Sequence, residues 1–163
     1  MTMKFAYSLV LCLGLAGCNS DRAEDAPPVK TSPKFALNDF TIVTDQTLMA
    51  QLVATDADGD ALRFSIKKAP TNGTVNIEAQ GKFTYQPTAE QTGNDQFDVE
   101  VTDGTNVISG TLNIKINRAQ LSYLQYSRQA FGRNSTQTAL PLNGRDFTAD
   151  ATQYSDYADL LQP

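Results

Sequence analysis

The sequence predicts an all-β fold, an antiparallel β-sandwich of about seven strands, carried by residues 35–117 of a 163-residue chain. Apolar residues alternate with polar ones through five segments of that stretch, turn dipeptides separate the segments, and nothing between them has helical periodicity. A period of two buries one face of a strand and leaves the other in water, as antiparallel sheets do. Connections this short leave no chain for parallel crossovers. The length leaves room for one domain and little more.

The alternating segments give the buried face directly. In "ALRFSI" the apolar set is Leu62, Phe64 and Ile66; in "GTVNI" it is Val75 and Ile77; in "KFTY" it is Phe83 and Tyr85. In "QFDVEV" it is Phe97, Val99 and Val101, with Asp98 and Glu100 on the other face, and in "TLNIKI" it is Leu112, Ile114 and Ile116. Two less regular segments, "FTIV" at 40–43 and "TLMAQLVA" at 47–54, complete the strands. Asn72-Gly73, Gln80-Gly81, Gly93-Asn94 and Asp103-Gly104 supply turn residues that tolerate positive φ. Parity predicts that Phe83 and Tyr85 pack against Phe97 and Phe64 across the two sheets. Pro87 ends its strand by removing a ladder donor, and Gly93 falls at the crossover between sheets.

Before the sandwich, residues 1–17 read as an export leader, with Lys4 followed by an uncharged apolar run over 5–17 that is too short to span a bilayer. The run ends in Leu15-Ala16-Gly17-Cys18. This resembles the lipobox of bacterial lipoproteins, which implies cleavage before Cys18 and acylation of its thiol. The competing reading is an ordinary secretory cleavage that leaves Cys18 as a free thiol, reactive in an oxidising compartment. Acyl chains on Cys18 anchor stably, since each buried methylene contributes about 0.8 kcal/mol. Cys12 departs with the leader, so no disulfide is expected. Residues 18–34 carry Pro27, Pro28 and Pro33 with no apolar periodicity, and read as the lipidated cysteine and a flexible tether.

After the sandwich, residues 118–163 read as a tail, largely irregular with short helices. Leu121, Leu124, Arg128 and Phe131 share one helical face, and 152–161 suits a second helix. "GRNSTQTALPLNGRD" between them is loop-like. No full apolar stripe is present, so weak structure is expected. The sharper alternative is a docking peptide presenting Tyr123, Tyr126, Tyr154 and Tyr157, a residue type suited to interfaces.

Several landmarks resemble one family. They are D-x-D-G-D at residues 56–60, "NGTV" at 72–75, G-x-F-T-Y-x-P at 81–87, G-x-D-x-F at 93–97 and V-x-D-G at 101–104. Together they look like the bacterial cadherin-like, Ig-like tandem repeat of adhesins and surface proteins. The resemblance covers about half the chain and implies an Ig-like or cadherin-like sandwich serving as a spacer or interaction module. It also implies that Asp56 and Asp58 take part in calcium binding, since the family's D-x-D contributes to calcium at the junction between consecutive domains.

The residues themselves leave two readings of Asp56, Asp58 and Asp60. Calcium takes six to eight oxygens and needs several carboxylates brought together. An EF-hand is excluded, because a loop begun at Asp56 puts Ala61 at the required glycine and Lys67 at the required glutamate. The plainer reading is a turn, with aspartates bonding backbone amides and Gly59 at positive φ. Three clustered carboxylates nevertheless repel one another unless a cation or donors sit among them. A complete site within one domain must recruit Asp39, Asp45, Asp95 or Asp103; Asp103 is the fourth candidate ligand. The segment after Ile116, "NRAQLSY", is not acidic, unlike a cadherin linker. The expectation is a turn with a weak calcium site, its affinity at the extracellular end of the range.

Composition excludes much. The chain has no histidine, which removes Ser-His-Asp and Cys-His catalysis and His-ligated zinc. Loss of a leader containing Lys4 takes the formal charge from −5 to about −6, and no basic face is offered to nucleic acid. The preferred function is a non-catalytic cell-envelope lipoprotein, bound to the bilayer through Cys18 and presenting its domain to an envelope protein, surface protein or glycan. Asn19 after Cys18 is no retention signal of the aspartate type, which points to the outer membrane where a cell has one. One alternative is an accessory subunit docking through the tail. The other, a carboxylate hydrolase, is disfavoured because the acids fall in turns or on outward parity and so small a domain has little room for a cleft.

Overall fold

The computed structural model describes residues 29–160; the leader and Cys18 lie outside the described residues. The strands are β1 (Lys34–Ala36), β2 (Phe40–Val43), β3 (Leu48–Gln51), β4 (Val53–Thr55), β5 (Arg63–Lys68), β6 (Gly73–Ile77), β7 (Lys82–Pro87), β8 (Gly93–Thr102) and β9 (Val107–Asn117). One sheet has the order β2-β9-β8-β5, the other β3-β7-β6, and β1 pairs with β4. The architecture is the all-β sandwich that the alternation predicts.

The buried face follows parity closely. Phe97, Val99 and Val101 on β8, and Leu112, Ile114 and Ile116 on β9, are all buried. Phe83 and Tyr85 on β7 meet them from the other sheet. Phe97 lies 5.6 Å from Phe83 in a T-shaped contact and 6.4 Å from Tyr85 in a stacked one. Phe64 differs from expectation: it sits at the margin and pairs with Phe35 of β1 at 6.1 Å. Gly93 opens β8, where the chain crosses from one sheet to the other.

The run 47–54 is two strands. Leu52 is buried and its amide bonds the Gly81 carbonyl at 2.8 Å. The chain thus leaves β7, partner of β3, and joins β1 through β4. Pairing is also not wholly antiparallel: β2 runs parallel to β9, Phe40 opposite Ile114 and Val43 opposite Asn117. The whole chain between these strands, including the other sheet, supplies the crossover.

Gly73 was expected to serve a turn through positive φ, yet positive φ occurs instead at Gly59, Gly81, Gly93, Gly104 and Gly144. Gly73 is needed for close approach. A Cβ there would lie 2.6 Å from the Gln86 carbonyl and 2.7 Å from the Tyr85 ring. Gly73→Ala is therefore expected to destabilise the domain by about 1–3 kcal/mol through overpacking, measured by urea unfolding; an unchanged midpoint would contradict this.

Tyr85 is fully buried and donates its hydroxyl to Asp95 Oδ2 at 2.8 Å. Burial, and secondly the Asp95 carboxylate, push its phenol well above the ordinary 10.0. The unfolded chain therefore loses this proton first, and the associated stability is present below about pH 10 and lost as pH rises towards the folded value. Alkaline unfolding should steepen above about pH 10, and Tyr85→Phe should remove that part of the dependence. An identical alkaline limb in the variant would contradict the assignment.

The tail carries more order than its composition suggests. Strand β10 (Ala119–Ser122), helix α1 (Tyr123–Phe131), strand β11 (Arg145–Thr148) and a 3-10 helix (Tyr154–Leu160) follow β9, and β10 pairs with β11 in parallel. Caps and ion pairs stand in for the missing apolar stripe. Ser122 Oγ accepts from Gln125 N at 3.0 Å, Asp150 Oδ1 accepts from Leu124 N at 2.9 Å, and Arg128 binds Asp159. Tyr126 and Phe147 pack at 4.8 Å beneath them.

Candidate functional site

The acidic turn joins β4 to β5. Asp56 Oδ1 accepts from Asp58 N at 2.9 Å and from Asp60 N at 3.1 Å, so the first aspartate ties the turn together. Gly59 takes φ 74°. Asp56 Oδ2 is enclosed and has no hydrogen-bond partner. Oxygens of Asp56, Asp58 and Asp60 all lie within 4.8 Å of one another. Both readings of the sequence thus coexist here, a backbone-bonding turn and a gathered set of carboxylates.

Two neighbours complete the surroundings. Lys30 Nζ lies 2.9 Å from Asp60 Oδ1 and 2.7 Å from Oδ2, and Thr31 N donates to Asp58 Oδ2 at 2.7 Å. The Asp60 carboxylate first, with Asp58 and Asp56 adding through space, raises the Lys30 ammonium above its ordinary value. Asn106 Nδ2 reaches the Lys30 carbonyl at 3.4 Å. Sequence reasoning assigned Lys30 to a featureless tether and missed it. No local signal marks it, since Arg22 and Lys34 are equally basic members of the same proline-bearing stretch.

The other candidate ligands lie elsewhere. Asp103 Oδ1 accepts from Thr105 N at 2.7 Å and Asn106 N at 2.5 Å, while Oδ2 accepts from Asn106 Nδ2 at 3.0 Å. These bonds, those from Asn106 foremost, hold its carboxyl below the usual range. Asp103 thus caps its own turn and approaches the cluster only through Asn106. Asp39 accepts from Asn113 at 3.0 Å. Asp95 is buried, with Thr71 N, Asn72 N, Tyr85 Oη and Gln96 N donating to it.

Asp45 belongs to a seam at the other pole. Its Oδ1 accepts from Glu90 N at 2.7 Å and its Oδ2 lies 2.5 Å from Arg145 Nη2, the arginine side chain being only 12% exposed. Asp45 and Glu90 are the non-glycine residues of positive φ among the described residues, at 62° and 64°. Gly144 fits between Glu90 and Thr44: at φ 71°, a Cβ there would lie 2.8 Å from the Glu90 carbonyl and from Thr44 Oγ1. The tail is thereby fastened to the sandwich end. Strand β9 begins after the turn that touches Lys30 and ends where Asn117 O accepts from Thr44 N. Its 11 residues separate the two poles by about 35 Å.

The tail turns an aromatic face outward. Phe131 is 68% and Tyr154 76% exposed, and with Tyr123, Ser127 and Tyr157 they line a shallow hollow. Among the described residues no helix is long and apolar enough to cross a membrane.

A two-sheet sandwich with an aspartate-rich turn at one pole defines an Ig-like or cadherin-like β-sandwich domain. The bacterial cadherin-like domain matches residues 24–118, more than half of the chain, and the chain belongs to that family. Domains of this kind are protein-interaction or adhesion modules and are typically non-catalytic. No curated protein sequence matches. Among solved structures, the first two domains of human protocadherin-24 are similar at 17% identity and TM-score 0.46, covering 58% of this chain and 52% of that one. An endo-fucoidan hydrolase of glycoside hydrolase family 107 is similar at 18% identity and TM-score 0.41, covering 52% of this chain and 13% of that one. The titin M3 domain is similar at 13% identity and TM-score 0.35, covering 53% and 98%. The chain spans about half of the protocadherin fragment, and at these scores no likeness bears on what it binds.

Proposed function

We propose that this chain is a cell-envelope lipoprotein, anchored through acylated Cys18, that displays its cadherin-like domain as a non-catalytic module for adhesion or protein contact. The observation that carries this reading is polarity: the N-terminal segment meets the sandwich at the acidic turn, and the tail is fastened to the opposite pole. A domain tethered at Cys18 then presents its tail and aromatic face away from the bilayer, to a surface protein or glycan. In a two-membrane cell the anchor is in the outer membrane. The hydrolase alternative gains nothing, because the clustered acids are engaged by backbone amides and Lys30.

The anchor is tested by the intact mass of the mature protein extracted in detergent, together with fractionation of Cys18→Ser. The expected result is a chain beginning at acylated Cys18, and loss of the variant from the membrane fraction. An unmodified chain beginning elsewhere would overturn the reading.

Calcium belongs to the same proposal. Asp56, Asp58 and Asp60 suit a hard cation that takes oxygen ligands, and the partnerless Asp56 Oδ2 fits a missing positive neighbour. These three residues would hold the ion, with affinity at the millimolar end because they supply few of the six to eight oxygens required. Bound there, calcium would neutralise the turn and draw its three carboxylates together.

A further inference from the structure

The acidic turn already has a cation beside it. Lys30 Nζ spans both oxygens of Asp60, Thr31 N closes on Asp58 Oδ2, and Asn106 holds the Lys30 carbonyl from the neighbouring turn. These contacts fasten the segment just before β1 onto the domain. They are also exchangeable. The Lys30 side chain is 41% exposed, and an exposed ammonium is a strongly hydrated point charge on a flexible stem, readily screened by salt. Three carboxylates facing one ammonium leave the turn with net negative charge. A divalent ion there would need the Asp60 oxygens that Lys30 occupies, and an ammonium beside it would be repelled. With Lys30 on both Asp60 oxygens, an ion that takes either of them must displace the ammonium from it.

We propose that Lys30 is the resident counter-ion of the acidic turn, and that calcium and the Lys30 segment occupy the turn in mutual exclusion, so that calcium frees the N-terminal segment from the domain. This rests on the calcium reading above and assigns it a consequence. Without calcium the domain is held close to the root of its tether. With calcium, residues 29–33 swing free and the domain gains reach.

The test compares the mature chain carrying Cys18→Ser, which keeps it in solution, with the same chain carrying Lys30→Gln or Lys30→Arg. Amide relaxation at Thr31 reports docking, and calcium-dependent shifts at Gly59 report affinity. Without calcium, Thr31 is expected to be as ordered as β1 in the parent and the arginine variant, and mobile in the glutamine variant. Calcium is expected to free Thr31 in the parent and to bind Lys30→Gln several-fold more tightly. Equal affinities, or a Thr31 that stays ordered when calcium is saturating, would overturn mutual exclusion while leaving the calcium site standing. Absence of calcium shifts in every chain would overturn the calcium reading and the release with it. Thr31 remaining ordered in Lys30→Gln would overturn the counter-ion role itself.

Discussion

Phe97→Ala is expected to lower the stability of the domain by about 3–5 kcal/mol. Phe97 is fully buried on β8 and touches Phe83 and Tyr85 of the opposite sheet, so its ring joins the two layers. Truncation removes the transfer energy of a large side chain and leaves a cavity that two pinned sheets cannot close. At roughly 4–8 °C per kcal/mol for a small domain, the melting temperature should fall by at least about 12 °C. Calorimetry of the parent and the variant checks this, with Val107→Ala as a control because Val107 is exposed. A fall no larger than the control's would show that the inter-sheet contact is not where the core's stability resides.

Asp95→Ala is expected to cost a similar amount, about 3–5 kcal/mol, for an electrostatic reason. The buried carboxylate accepts from Thr71 N and Gln96 N through Oδ1 and from Asn72 N and Tyr85 Oη through Oδ2, at 2.8 to 3.0 Å. Alanine leaves those donors without their acceptor and unlocks the turn before β6 from the start of β8. Asp95→Asn should recover only part of the loss, because its amide group turns a donor towards donors. Urea unfolding with an unchanged m-value is the measurement. A loss below about 1 kcal/mol would mean that water replaces the carboxylate freely.

The fold was legible where one residue's fate depends on its near neighbours. Alternation in "QFDVEV" and "TLNIKI" identified every buried side chain of β8 and β9 among those segments, because a pleated strand alternates whatever its partner is. What a distant strand decides was not legible. The break at Leu52 exists because the Gly81 carbonyl takes its amide, and the parallel β2–β9 pair depends on residues about as far apart as the domain allows. The need for glycine at 73 was visible; its cause, the Tyr85 ring and the Gln86 carbonyl across the hairpin, was not.

The candidate site divides in the same way. Asp56, Asp58 and Asp60 come together because they are near in sequence, and Asp56 bonds the turn as an aspartate in such a loop should. Lys30 reaches the turn only through the fold. So does the tail seam, where Arg145 finds Asp45 and Gly144 fits against Glu90. A tail without an apolar stripe reads as irregular, yet its order comes from capping residues and ion pairs that no periodicity reveals.

The measurement that tests most directly whether the acidic turn is a working cation site is thermal unfolding of the mature chain, with calcium at about 2 mM, the extracellular range, and with excess chelator. Asp58→Ala is melted beside it. A ligand held only by the folded state, at about twice its dissociation constant, adds about 0.6 kcal/mol. A calcium-dependent rise of a few degrees that Asp58→Ala abolishes is the predicted result. Superimposable curves with calcium and chelator in the parent chain would contradict it and leave the three aspartates as turn residues, with Asp60 paired to Lys30.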